Sequence, residues 1–278
     1  MRDITIGQYY QTDSLVHRLD PRVKLFWTLM YIVGLFVAGN IAGYAMSTIF
    51  LIVVIRLSKV PVKKVLSGLK SICFILVFSG VFTLLFTGGE KVLGEWWIFT
   101  ISVEGILKAV EMVYRLLLLL VGSSIMTLTT TPTDIADGLE KAFSPLRYIK
   151  IPVHEIAMMI SIAFRFIPIL VEEADKIMKA QKARGADFES GGIIKKAKSM
   201  IPLLVPLLIS AIKRAMDLAN AMEARCYRGG DGRTKMKPLK YKKADYVSYV
   251  IIFLVFIALI GSNIIMNEVL GWEVIMLL

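Results

Sequence analysis

The chain has 278 residues, 56% of them hydrophobic. A soluble domain holds about 45–50% apolar residues, so this excess excludes an ordinary soluble globule. The formal net charge is +11 and the charged 20% is gathered in clusters, which reads as a polytopic membrane protein joined to a sizeable polar-faced part. The two cysteines, Cys73 in an apolar run and Cys226 beside a basic loop, imply neither a disulfide framework nor a metal site.

The N-terminus does not have the form of a signal peptide, because an apolar run begins only near Val23; the first span is expected to act as its own insertion signal. Residues 1–20 are polar and aromatic and end in His17-Arg18-Leu19-Asp20-Pro21. Asp20 is expected to cap a helix with Pro21 at its first position, where the missing N–H of proline costs nothing. The apolar run from Val23 to Leu57 holds about 35 residues, too long for one crossing of a ~30 Å hydrocarbon core at 1.5 Å per residue. Broken by Gly39-Asn40 and Gly43, it predicts two short spans at 23–38 and 41–57. A basic loop follows (Arg56, Lys59, Lys63, Lys64, Lys70), and a third span is predicted from Ser71 to Thr87. The next loop, with Glu90, Lys91 and Glu95-Trp96-Trp97, is poor in cations, and paired tryptophans suit the headgroup region. A fourth span, Ile106 to Thr127, contains Arg115, which must face protein or a water-filled cleft, or snorkel outward.

Beyond Thr129 the pattern becomes amphipathic. Thr131-Pro132-Thr133-Asp134 has the form of a helix start, and Ser144-Pro145 ends the short helix it opens. Val153 to Arg184 and Ile193 to Arg225 then share one plan, an apolar first half and a charged second half, each longer than a bilayer is thick. Pro202 and Pro206 are expected to kink the second. Ala183-Arg184-Gly185 closes one helix and Ala224-Arg225-Cys226 the other, with Gly185 and Gly229-Gly230 read as the stops. The segment from Arg228 to Lys243 carries seven cations against one Asp231, and the last span is predicted from Tyr246 to Gly261. With the N-terminus cytoplasmic, every basic loop falls inside and the cation-poor ones outside.

The predicted fold is therefore all-α: about five transmembrane helices plus long amphipathic cytoplasmic helices. The domain reading is 1–128 as an N-terminal membrane region of four spans, 129–230 as cytoplasmic coupling helices, and 231–278 as a basic loop with the last span.

No phosphate-binding G-x-x-x-x-G-K-[ST] or G-x-G-x-x-G occurs, and His17 and His154 have no nucleophile or ligand partner at useful spacing. Asp134, Asp137 and Glu140 share one helical face and could hold Mg²⁺ for a diphosphate in prenyl transfer; acidic residues early in a helix also answer the macrodipole. The basic loops adjoin spans and lack interleaved aromatics, which argues against nucleic acid.

Several segments together resemble the transmembrane coupling (T) component of energy-coupling factor vitamin transporters. They are Gly7-Gln8-Tyr9 with Ser14, His17 through Lys24, Thr131 through Ile135, Arg165-Phe166-Ile167-Pro168, Ala180 through Gly185 and Ala221 through Tyr227. The resemblance covers essentially the whole chain in the right order, with one departure: Cys226 stands where many members have glycine or another small residue. It implies a non-enzymatic coupler in a bacterial or archaeal cell membrane, with no catalytic residue, cofactor or metal of its own. Two ATP-binding cassette ATPases would dock from the cytoplasm, one on Ala183, Arg184 and Gly185 and the other on Ala224, Arg225 and Cys226. A separate small membrane protein would capture the vitamin, meeting the Met158, Met159, Phe164 and Phe166 surface. A T component dedicated to cobalt, nickel or biotin, a lone transporter, and the enzyme built on Asp134 are the competing expectations.

Overall fold

A computed structural model describes residues 9–89, 92–96, 99–149, 152–188, 192–229 and 239–270. Gly7, Gln8, Gly230, the cations Arg233 to Lys237 and the last eight residues lie outside them. The elements in order are α1 (Pro21–Val37), α2 (Ile41–Ser58), α3 (Val62–Phe86), a hairpin of β1 (Val92–Trp96) and β2 (Phe99–Ser102), α4 (Val103–Thr129), α5 (Pro132–Ala142), a 3-10 turn at Ser144–Ile149, α6 (Val153–Ala183), α7 (Ile193–Ala224) and α8 (Lys243–Leu270). The chain is an all-α polytopic membrane protein, the small antiparallel hairpin being its sole sheet among the described residues.

Five helices are long and apolar enough to cross a membrane: α2, α4, α8 and also α6 and α7. A sixth is possible if the two halves of α3, bent by 63° between Lys70 and Ile72, form one span. The helix at 21–37 has 17 residues, about 26 Å of rise, and falls just below the full hydrocarbon thickness. The expectation that Lys63, Lys64 and Lys70 lie in a loop is corrected: they belong to α3, which starts directly after Pro61 because lysine favours the helical backbone.

The chain divides into two compact units. The first, Met1–Lys141 with Leu239–Leu278, is a bundle of α1–α4 and α8 with α5 at one end. Helices gain little from apolar burial when lipid is as apolar as leucine, so close backbone approach and hydrogen bonds carry the packing. Gly122 of α4 lies under the Tyr31 ring of α1, where an added Cβ would fall 2.5 Å from Cε1. Tyr31, Leu35, Leu51, Leu118, Val121 and Ile125 fill the space around it. The α1–α2 turn is tied to α8 because Asn40 Nδ2 donates to Ser262 O (2.9 Å) and Asn263 Nδ2 to Val37 O (2.6 Å). Arg115 faces protein: its Nε donates to Tyr44 Oη at 2.7 Å and its guanidinium pairs with Glu111 at 2.6 Å.

A buried polar knot gathers around the N-terminus of α1. The Asp20 carboxylate caps the helix through the Arg22 N–H, and the Asp20 N–H donates to Asp245 Oδ1, both at 2.9 Å. Asp245, 1% exposed, also accepts from Lys242 N (2.7 Å), so one carboxylate joins the starts of α1 and α8. Lys24 Nζ donates to the carbonyls of Thr129 (2.9 Å) and His17 (3.2 Å). The Tyr10 carbonyl can only accept, so His17 carries its proton on Nε2 (3.0 Å) and Nδ1 accepts from Ser14 Oγ (2.7 Å). The His17-to-Lys24 stretch thus holds the N-terminal segment, the end of α4 and the start of α8 together. Burial tends to raise the Asp20 carboxyl, but hydrogen bonds from Arg22 outweigh it and hold that group below the usual carboxylate range.

The second unit, Ala142–Pro238, is built on α6 and α7, which pack against each other.

Candidate functional site

The two arginine-bearing tripeptides sit at the ends of α6 and α7, and the backbone closes both ends by the same device. In α6 the Gly185 N–H donates to Lys182 O (3.0 Å) and the Ala186 N–H reaches back to Gln181 O (2.9 Å). In α7 the Cys226 N–H donates to Glu223 O (2.8 Å) and the Tyr227 N–H to Met222 O (3.0 Å). Each is a Schellman closure, in which the residue after the cap turns left-handed and covers the last carbonyls. Gly185 does so at φ +87° and Cys226 at φ +54°. This corrects the expectation that Gly229-Gly230 stops α7: the helix ends at Ala224 and Cys226 makes the turn, four residues before Gly230. Both prolines of α7 and Pro168 of α6 lie inside continuous helices.

Arg184 and Arg225 therefore occupy the same position, the C-cap, of two helices of 31 and 32 residues. Both arginines are exposed, as are Ala183, Gly185, Ala224 and Cys226. Among the described residues no hydrogen bond or ion pair holds either guanidinium. The negative end of each helix dipole favours a cation there, and small neighbours leave the fork open to a carboxylate. An added Cβ at Gly185 meets nothing within 4 Å, so the glycine serves the backbone turn and not a steric fit.

Upstream, Arg214 of α7 pairs with Glu173 of α6, Nη2 to Oε2 at 3.0 Å. No local motif marks this pair, although both residues lie in the charged second halves of their helices. The apolar halves are open: Met159 of α6 is 58% exposed and Leu208 of α7 62%. Met158, Phe164 and Phe166 are half-buried.

The Asp134 constellation does not assemble. Thr131 Oγ1 accepts from the Asp134 N–H (3.2 Å) and donates to its Oδ2 (2.7 Å), which makes Asp134 part of a helix cap. Among the described residues no three His, Cys, Asp or Glu side chains come together as a metal-binding group.

Residues 12–236 match the CbiQ family, described as cobalt transport protein. Similar chains carry the name energy-coupling factor transporter transmembrane protein EcfT. The one from Clostridium kluyveri is 49% identical over 249 residues, covering 89% of this chain and 92% of its own length. Its counterpart from Ruminiclostridium cellulolyticum is 50% identical over 245 residues, covering 88% and 91%. That from Bacillus subtilis is 43% identical over 260 residues, covering 94% and 98%. With one match spanning both structural units and these relatives covering nearly the full length, the chain belongs to the CbiQ family, alongside the energy-coupling factor transporter transmembrane proteins.

Proposed function

We propose that the chain is the transmembrane coupling subunit of an energy-coupling factor importer, and that Arg184 and Arg225 each take one cytoplasmic ATPase subunit. The observation that carries the reading is the matched pair of exposed arginines, set by identical backbone closures at the ends of two long helices. A guanidinium offers a planar, permanently charged fork to a carboxylate, and each charged hydrogen bond contributes about 1.5–3 kcal/mol. Two such contacts anchor an ATPase pair while still permitting release. The stiff helices behind them turn closure of that pair into motion at the membrane, where the exposed apolar halves meet a vitamin-capturing membrane protein. Residues 129–230 are then the cytoplasmic coupling region, flanked by the membrane segments 1–128 and 231–278, with the N-terminus inside. The three relatives above carry the energy-coupling factor name and no metal name, which favours a general coupler over one dedicated to cobalt or nickel.

Arg184→Ala and Arg225→Ala test this in the full transporter. Each single change is expected to weaken ATPase attachment roughly 10- to 100-fold, and the double change to abolish co-purification and ATP-driven uptake while membrane insertion is kept. Lysine at either position restores charge without the fork and rescues only in part. Full ATPase attachment in the double variant would refute the reading.

A further inference from the structure

Glu173 precedes Arg184 by 11 residues, and Arg214 precedes Arg225 by 11. The one ion pair that bridges α6 and α7 among the described residues therefore lies equally far from both arginine-bearing ends, about 16 Å along each axis. The same offset of 41 positions relates Glu173 to Arg214, Arg184 to Arg225, and Gly185 to Cys226. Thus α6 and α7 meet in register, as two arms of equal length measured from one charged contact.

We propose that the Glu173–Arg214 pair is the pivot that sets the distance between Arg184 and Arg225. This rests on the attachment reading above and deepens it: the pair positions the two arginines without touching a partner. The physical need for it lies in how helices pack: apolar ridges fit neighbouring grooves in more than one register. A slip of one helical turn would displace one arginine by about 5.4 Å relative to the other. Two docking points that must hold two ATPases at a fixed separation cannot tolerate that slip. A charged pair forbids it, because a slipped register leaves a half-buried carboxylate and a half-buried guanidinium without each other. The side chains are 29% and 37% exposed, shielded enough for the loss to matter. This is the same use of a polar pair that fixes register in coiled coils.

The test is a distance measurement on the full chain in lipid nanodiscs, independent of any ATPase. Cys73→Ser and Cys226→Gly remove the native thiols. Spin labels are placed at Ala180→Cys and Ala221→Cys, two exposed alanines related by the same offset of 41. With the pair intact, pulsed electron resonance is expected to give one narrow distance distribution. Glu173→Gln, which keeps shape and removes charge, is expected to at least double its width or add a second population. The exchanged pair Glu173→Arg with Arg214→Glu is expected to return it to the original width. An unchanged distribution in Glu173→Gln overturns the proposal, and so does failure of the exchanged pair to narrow it.

Attachment is then read separately with the transporter's two ATPase subunits. Glu173→Gln is expected to lower the yield of complexes holding both ATPases, and the exchanged pair to restore it. If the distances behave as stated while Arg184→Ala with Arg225→Ala still binds both ATPases, the attachment reading fails and the pivot stands.

Discussion

Exchanging the residues that make the two left-handed turns gives a sharp test of how the arginines are presented. Gly185 and Cys226 perform the same backbone task at φ +87° and +54°, yet only one of them is a glycine. A left-handed conformation costs a residue with a Cβ about 1–2 kcal/mol. Glycine avoids this but adds about 0.4–1 kcal/mol of disorder to the unfolded chain. Cys226→Gly should therefore tighten the end of α7 by about 0.5–1 kcal/mol, and Gly185→Ala should loosen the end of α6 by about as much. The second value is clean, because a Cβ at Gly185 meets nothing within 4 Å and adds no clash. Local opening is read by amide exchange at the four N–H groups of the closures, those of Gly185, Ala186, Cys226 and Tyr227. With tenfold per 1.4 kcal/mol, the expected changes are about 2- to 5-fold slower exchange at 226 and 227 in Cys226→Gly, and 2- to 5-fold faster exchange at 185 and 186 in Gly185→Ala. Faster exchange in Cys226→Gly, or unchanged exchange in Gly185→Ala, would refute the claim that backbone strain at these turns governs the order of the arginine-bearing ends.

Three further outcomes follow from the first unit. Gly122→Ala puts a methyl 2.5 Å from the Tyr31 ring and should lower the thermal unfolding midpoint, at a cost of about 1–3 kcal/mol, with Tyr31→Leu in the same chain recovering part of the loss. Asp245→Ala strips the acceptor from the buried Asp20 N–H and from the Lys242 N–H and should cost about 2–4 kcal/mol; Asp245→Asn keeps one oxygen and should lose about half of that by the same assay. Burial holds His17 below its ordinary pKa, against the opposing pull of the Tyr10 carbonyl, so the unfolded segment binds a proton more readily than the docked one. Docking is complete above about pH 6.5 and weakens as pH falls through the lowered value. Protection of the Tyr10 N–H, which donates to Leu128 O, should fall as pH drops below about 6.5, read as its exchange relative to an unstructured chain at each pH, and the dependence should vanish in His17→Gln.

Much of the architecture was legible because its causes are local. Asp20-Pro21 sets a cap and a first helical position, Gly39-Asn40 breaks an apolar run too long for one crossing, and the two long helices were bounded to within a residue at the arginine ends. The stop of α7 is hidden in the sequence because glycine is the usual marker of a left-handed turn. The turn is made instead by Cys226, which pays the strain while the backbone hydrogen bonds of Cys226 and Tyr227 close the helix. The start of α3 was set too late because its lysines read as loop. Charge reports the side of the membrane, not the end of the helix.

From sequence alone came the membrane class, the order of the helices and the two arginines, since hydropathy, capping residues and short motifs are properties of neighbouring positions. Tertiary structure alone decided what the distant residues do. It joined Asp20 to Asp245 across 225 positions, set Lys24 on the Thr129 carbonyl and Arg115 on the Tyr44 hydroxyl, and brought Glu173 to Arg214. Pairings of this kind depend on which helices become neighbours and in what register, and no local pattern carries that information.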